Sequence, residues 1–227
     1  MPKIKLPKGN PSLDMTPMVD LAFLLVTFFM LTASFREAET VTVIVPDARS
    51  VAEKELPKNT LIITIDKTGR VYFDAQLEGP DSRGEVLDSM MKNYNFSMDD
   101  RGKMSFLRCG AFGVPIKEIP AYLLLDDDGR IKKNESYPDG IPSDSLDNQI
   151  GALALYGMGI GVRNFRERKQ QAELEGAPLS KETQVKIKPR ISIKADFDAP
   201  YLKVKKVIKA LTDKKLYQFT LITTLDA

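Results

Sequence analysis

The 227-residue chain contains no histidine, and it has a single cysteine, Cys109. The absence of histidine excludes Ser-His-Asp and Cys-His nucleophilic catalysis, together with most zinc sites. A single cysteine excludes an intrachain disulfide and leaves the redox compartment open. The formal net charge is only +2, which gives no indication of a nucleic-acid partner. These absences argue against a hydrolytic enzyme and against a nucleic-acid-binding protein.

One long apolar run, residues 18–35, stands out from a chain of otherwise ordinary hydrophobic content. Because roughly 20 apolar residues cross about 30 Å of hydrocarbon, the run is a candidate membrane span. It contains one acid, Asp20, in its first turn. An ionisable side chain inside a span costs about 2.5–3.5 kcal/mol and is by default a functional candidate.

The residues before the run carry Lys3, Lys5 and Lys8 and no acid as far as position 13, whereas acids follow the run. Lysine and arginine favour the cytoplasmic side of a membrane. The sequence therefore predicts a cytoplasmic N-terminus and places the bulk of the chain outside.

A cleaved signal peptide is the alternative for this region, because a basic start, an apolar core and the small residues Ala33 and Ser34 fit one loosely. The segment before the run is long for that purpose and contains Asp14, and Asp20 follows within the run. The run is also longer than a signal peptide needs. An uncleaved anchor is therefore the favoured interpretation.

The polar residues of the run share one face of a helix. At about 100° per residue, Thr16, Asp20, Thr27 and Ser34 fall within about 40° of one another. Such a stripe should face protein or water rather than lipid. Alternatively, the hydroxyls bond carbonyls of their own helix, which explains the threonines and the serine but not Asp20. Pro17 is tolerated in the first turn and sets where the helix begins.

The rest of the chain predicts an α+β domain with a small mixed sheet and two helices. The predicted strands are 40–46, 61–66, 70–74, 191–196 and 216–223, and the predicted helices are 84–95 and 200–212. Strands 61–66 and 70–74 are expected to form a hairpin. The final strand is expected at a sheet edge, where it could pair with an identical copy or an extended peptide. Lysines on the surface of helix 200–212 fit either a solvated face or an anionic partner.

The middle of the chain, about 97–189, is predicted to be long and irregular. Within it, residues 150–162 read as a buried helix and residues 165–176 as an exposed charged helix. The run Asp126–Gly129 lacks the spaced ligands of a calcium loop, so an exposed turn is expected there. No phosphate loop or redox pair is present, and no cofactor or metal is expected.

The residues that open the apolar run resemble a known family signature. Asp14-Met15-Thr16-Pro17-Met18-Val19-Asp20 is similar to the Asn/Asp-x-Thr-Pro-x-Val-Asp motif of the ExbD/TolR family. Residues 191–196, followed by Tyr201, a helix and a final strand, resemble the closing strand–helix–strand of that family. The likeness covers residues 11–96 and 190–224, and the region 97–189 departs from it as a long insert.

The resemblance implies a single-pass inner-membrane protein of Gram-negative bacteria with a periplasmic C-terminal domain, closer to ExbD than to TolR. It implies no enzyme activity. Its partners would be a multi-span ExbB/TolQ-like protein, a TonB-like energy transducer driven by the proton motive force, and a second copy of the chain. Asp20 would be the ion-translocating acid. The expected organisation is given by the following ranges: a cytoplasmic segment 1–14, a transmembrane helix 15–35, a linker with the first strand 36–60, and a periplasmic domain 61–227 with the insert at 97–189.

Three other classes remain in competition with this interpretation. A passive membrane-anchored module would use the outer domain to bind an envelope partner. A flagellar-stator-like protein also places an acid in a single span, but the OmpA-type peptidoglycan-binding motif expected of it is missing. A secreted enzyme is disfavoured, because nothing around the serines or Cys109 suggests an activated nucleophile.

Overall fold

The computed structural model describes residues 16–32, 59–79, 81–144 and 146–222. The predicted strand 40–46 and Ser34 lie outside these residues. The chain divides into two units, Met1–Glu37 and Ala38–Ala227, and each unit is described by itself.

The first unit contains helix α1, Thr16–Thr32. Its large apolar side chains are exposed; Phe23, for example, is 66% exposed and Leu31 is 88% exposed. No helix in the described part of the chain combines the length and the apolar character needed to cross a membrane.

The second unit is built on a four-stranded sheet. Its strands are β1 Thr60–Ile65, β2 Val71–Gln76, β3 Arg190–Ala195 and β4 Phe219–Ile222. They lie in the order β2-β1-β3-β4. β1 and β2 are antiparallel, whereas β1–β3 and β3–β4 are parallel. The predicted mixed sheet, its hairpin and the edge position of the last strand are therefore confirmed.

The hairpin turn forms because its residues suit it. The Asp66 carboxylate accepts hydrogen bonds from the backbone N–H and the hydroxyl of Thr68. Gly69 has a φ of +85°, a conformation that glycine adopts without steric cost. This local chemistry fixes the register in which Ile63 lies opposite Phe73.

Helices account for much of the remaining second unit. They are α2 Ser82–Tyr94, α3 Asp100–Arg108, α4 Ile119–Leu123, α5 Asp127–Glu135, α6 Gln149–Leu174, α7 Lys181–Ile187 and α8 Tyr201–Asp213, with a 3-10 turn at Ile116–Glu118. The predicted helices 84–95 and 200–212 correspond to α2 and α8. The two predicted segments 150–162 and 165–176 form one continuous helix, α6, which is buried in its first half and exposed in its second.

The expectation of two helices and an irregular middle is wrong, because α3 to α7 occupy that middle. Capping side chains start several of these helices: for α3, the Asp99 carboxylate accepts from Gly102 N–H at 2.9 Å. Asp126 accepts from Gly129 N–H at 3.0 Å, so the run expected to be an isolated turn is the start of α5. A side-chain acceptor at this position satisfies an N–H that has no partner inside the helix.

The region 97–189 belongs to the core of the second unit. Phe112 exchanges two backbone hydrogen bonds with Phe73 on the outer edge of β2, at 2.9 and 3.1 Å. Its ring also lies about 6 Å from the rings of Phe73 and Phe106, in edge and tilted arrangements that aromatic pairs prefer. The side chains of this region therefore complete the domain, and they close one edge of its sheet.

Gly140 brings a second segment against the same edge. Val71 N–H donates to the Asp139 carbonyl at 3.2 Å, and Ile141 N–H donates to the Val71 carbonyl at 3.0 Å. A Cβ at Gly140 would overlap the Val71 backbone, and its φ of +67° also favours glycine.

The single cysteine lies inside this packing. Cys109 is 4% exposed, and burial raises the pKa of its thiol despite the nearby Arg130 and Arg83 guanidinium groups. A neutral buried thiol behaves as a small apolar side chain, as the sequence predicts.

Helix α6 lies close against β1 because small residues face the sheet. A Cβ at Gly157 would lie 2.6 Å from Leu61 Cδ2, whereas a Cβ at Gly159 would meet nothing within 4 Å. Leu61 is fully buried and has little room to move.

We expect Gly157→Ala to be less stable than Gly159→Ala by about 1–3 kcal/mol, the usual cost of overpacking a core. Both variants gain the same helix propensity, about 1 kcal/mol, so their difference isolates the contact with Leu61. Denaturant unfolding followed by circular dichroism measures it. Equal stabilities would contradict the close approach of α6 to β1.

Candidate functional site

The predicted polar face of the N-terminal helix is present in the described residues. Thr16, Asp20 and Thr27 lie in one continuous α-helix, which places them within about 40° of one another around its axis. Pro17 is the second residue of that helix, and Ser34 lies outside the described part. Asp20 is the sole ionisable residue of α1, and its side chain is exposed.

Thr27 does not offer a free hydroxyl along this face. Its Oγ1 donates to the carbonyl oxygens of Phe23 and Leu24, at 2.9 and 3.0 Å. This is the local bonding typical of threonine inside a helix. Thr27 therefore follows the alternative in which the hydroxyls serve their own helix, and Asp20 remains the chemically distinctive group.

The surroundings of Asp20 on α1 are mostly apolar. Thr16, Pro17, Val19 and Phe23 line a shallow open concavity with it. A carboxylic acid in such surroundings is tolerated when neutral, and it requires water or polar partners when ionised.

The second unit presents a different kind of candidate site at its open sheet edge. Among the described residues, none pairs with the outer side of β4. Thr220 and Leu221 of this strand are exposed. An uncovered edge offers N–H and C=O groups to another extended chain.

Two lysines of α8 are tied to a neighbouring loop. Lys203 pairs with Asp139, and Lys206 Nζ lies 2.9 Å from Asp144 Oδ1. Lys205 and Lys209 are exposed. Sequence reasoning missed these pairs, because their members lie 64 and 62 residues apart and no local pattern connects them.

No group of acids or cysteine that could hold a metal ion occurs within the described ranges. One acid of α2 and one just before it are instead engaged with arginines of α6. Arg163 pairs with Glu85 and Arg168 pairs with Glu78, which fastens α6 to the segment after the hairpin.

Comparison with known protein families gives a match that includes the N-terminal helix. Residues 7–105 match the family described as Biopolymer transport protein ExbD/TolR. The matched region contains α1 with Asp20, the β1–β2 hairpin, α2 and part of α3. Among curated proteins and solved structures, no significant match to the chain was found.

The match supports the resemblance seen in the N-terminal motif but not all of its predicted extent. It ends at residue 105, so it does not reach the closing strand–helix–strand of residues 190–224. It also runs past the proposed start of the insert at residue 97, and the insert is therefore not established as a separate feature. In the fold, β3 and β4 of the closing segment lie in the same sheet as the hairpin. Side chains from residues 97–189 lie in the same core as that sheet.

The Lys206–Asp144 pair predicts a measurable titration. Hydrogen bonding and charge from Lys206 hold the pKa of Asp144 below its usual range. A depressed folded-state pKa gives stability that is present at neutral pH and is lost as the pH falls through that pKa. The contribution is small because both groups are exposed.

We expect Lys206→Met to raise the pKa of the Asp144 carboxyl toward its ordinary value, measured by NMR titration. The matched variant Lys205→Met removes a neighbouring exposed lysine and should leave the titration of Asp144 unchanged. A pKa of Asp144 that is the same in all three proteins would contradict the pair.

Proposed function

We propose that this protein is the subunit of a proton-motive-force-driven, ExbB–ExbD-type motor that energises TonB-dependent transport across the outer membrane. The observation that carries the proposal is the position of Asp20. It is the sole ionisable residue of an exposed apolar helix, and that helix lies inside an ExbD/TolR family region. The role is one of energy transduction and not of enzyme catalysis.

The proposed membrane span is residues 15–35, of which α1 is the described part. The 17 residues of α1 rise about 25 Å, and a helix over 16–35 would rise about 30 Å, the thickness of the hydrocarbon layer. The lysines of residues 1–14 favour a cytoplasmic N-terminus. The second unit would then lie in the periplasm of a Gram-negative bacterium.

Asp20 is proposed to carry the translocated proton. The neutral acid tolerates an apolar site, whereas the carboxylate needs water or polar groups of a partner. Exchange between these two states changes which surroundings are favourable for α1. A potential of 100 mV supplies about 2.3 kcal/mol per charge moved across it, several times RT, which is enough to bias such a change.

The partners follow from the two exposed surfaces. A multi-span ExbB/TolQ-like protein would surround the span and supply the polar groups that Asp20 requires. The open edge of β4 would serve a second copy of the chain, and the periplasmic unit would act on a TonB-like energy transducer. The open edge also fits an extended peptide of such a transducer.

Two related functions compete with this one. A TolR-like subunit of an envelope-integrity complex would use Asp20 in the same way, and the family description includes both names. A passive anchored module would use the β4 edge but would have no need for the acid. The first experiment below separates the motor from the passive anchor.

Asp20→Asn keeps the size of the side chain and removes its titration. We expect energy-dependent uptake across the outer membrane to fall to background in cells carrying this variant, because the proton carrier is lost. Co-purification of the multi-span partner should persist. Thr27→Val is the matched control on the same face, and its uptake should remain normal because that hydroxyl bonds its own helix.

Full uptake by Asp20→Asn would contradict the proton-carrier role and favour the passive anchor. Loss of uptake together with loss of the partner would instead mean that Asp20 serves assembly.

The dimer proposal is tested at the edge of β4. Leu221→Lys places a charge on an exposed residue of the edge strand β4, a substitution that opposes edge-to-edge pairing. We expect it to shift the protein from dimer to monomer in analytical ultracentrifugation. Val185→Lys in α7 is the control, because Val185 is 56% exposed and Leu221 is 52% exposed. A dimer that survives Leu221→Lys would show that β4 does not form the interface.

A further inference from the structure

Asn59 is the first described residue of the second unit and directly precedes β1, the strand between β2 and β3. It is only 2% exposed, and its φ is +79°. Positive φ is uncommon for residues other than glycine, although asparagine tolerates it better than most. A buried polar side chain on such a backbone persists only where its surroundings hold it.

Three segments hold Asn59. Its Nδ2 donates to the Ile187 carbonyl at the end of α7, at 2.7 Å. Its Oδ1 accepts a long hydrogen bond of 3.5 Å from the Glu78 N–H, in the segment after β2. Its backbone carbonyl accepts from the N–H of Arg190, the first residue of β3, at 3.2 Å. One residue therefore connects the beginning of the sheet to α7, to the end of the hairpin and to β3.

Helix α6 closes over this connection. A Cβ at Gly161 would lie 2.8 Å from Pro189 Cβ and 3.3 Å from Asn59 Oδ1. The glycine allows α6 to pass directly above the amide, which restricts the paths by which Asn59 could leave its partners.

The direction of β1 determines how a force on the chain would load the bonds of Asn59. β1 starts at Thr60 beside Arg190 of the parallel strand β3, and Thr60 also lies opposite Gln76 of β2. A pull on the chain before Thr60, made against an attachment point beyond the far end of β3, therefore acts along β1 in shear. Among the described residues, Asn59 precedes all of these ladder bonds along the chain, so its bonds meet such a pull before the ladder does.

We propose that Asn59 is a force anchor, the residue through which a displacement of the N-terminal helix is passed to α7, β2 and β3 together. The proposal rests on the proposed motor function only for the source of the displacement. The contacts of Asn59 themselves belong to the second unit.

Direction-dependent pulling distinguishes an anchor from an ordinary stabilising residue. The full-length protein, held in lipid nanodiscs, carries handles on introduced cysteines; Cys109 is buried and does not compete for labelling. One handle pair, Glu55→Cys with Asp198→Cys, places its second handle on an exposed residue just after the far end of β3 and loads the chain through Asn59. The other pair, Ser136→Cys with Asp198→Cys, bypasses Asn59.

Asn59→Gly keeps the positive φ and removes both side-chain hydrogen bonds. The glycine accepts the backbone conformation of residue 59 and adds no bulk, so we expect the variant to fold, which circular dichroism checks. Under load through residue 55 we expect Asn59→Gly to unfold about tenfold faster than the parent, since each lost bond contributes on the order of 1 kcal/mol. Under load through residue 136 the two rates should agree within about a factor of three.

Asn95→Gly is the matched control, because Asn95 also has positive φ, +52°, but is exposed at the end of α2. It should change neither rate. Asn59→Asp tests the donor separately: it keeps the acceptor for Glu78 and sets a carboxylate against the Ile187 carbonyl, and it should behave like Asn59→Gly. Equal acceleration along both pulling directions would reduce Asn59 to a structural residue, and no acceleration would overturn the anchor altogether.

The uptake assay separates this proposal from the proposed function. We expect Asn59→Gly to lower uptake with the complex still assembled, whereas Asn95→Gly keeps it. If Asp20→Asn abolishes uptake but Asn59→Gly leaves it normal, the anchor role of Asn59 is rejected and the proposed motor function is retained. Normal uptake by Asp20→Asn would reject the proposed motor function. The pulling experiment would then still test whether Asn59 bears load in the second unit.

Discussion

The burial of strand β1 on both sides is the constraint on which the second unit depends. All six of its residues are buried, so both of its edges require backbone partners. The hairpin supplies β2 locally, but the other partner, β3, begins only at Arg190. The chain between them must therefore travel around the sheet and return, and it does so as α2 to α7. Four of those helices, α2, α3, α4 and α6, share one core with the strands.

This route makes the two edges of the sheet different. Phe112 and the segment around Gly140 bond to the outer edge of β2, and they leave β4 as the edge without a described partner. Edge strands that stay open invite pairing with another chain, and natural proteins usually cover them. A region that first resembles an insert thus has a structural consequence: it limits strand addition to one side. The proposed dimer and the proposed peptide partner compete for that single side.

The two units differ in where their apolar side chains lie. In α1 the apolar side chains are exposed and the acid lies among them, whereas the second unit buries its apolar residues in a core of its own. In the proposed function, a proton on Asp20 alters the preference of α1 for apolar or polar surroundings. In the proposed motor, the chain that follows α1 enters β1 through Asn59. The burial of that asparagine and its bonds to three segments fit a point of transmission better than a flexible joint.

The sequence by itself determined the features that local chemistry specifies. The two strand-like segments 61–66 and 70–74 and the turn at residues 67–69 predict the hairpin. The apolar run and its acid predict a helix with one distinctive face, and the N-terminal motif indicates the family. Only the tertiary structure decided that the middle of the chain is helical and that it bonds to the outer edge of β2. It also decided that Lys206 pairs with Asp144 and that Asn59 bonds to three segments. These features depend on contacts between residues far apart in the chain, and short capped helices such as α5 carry little apolar periodicity, so no local pattern records them. The physical reason is that side-chain spacing encodes which face of an element is buried, whereas the partner of that face is selected by packing over the whole chain.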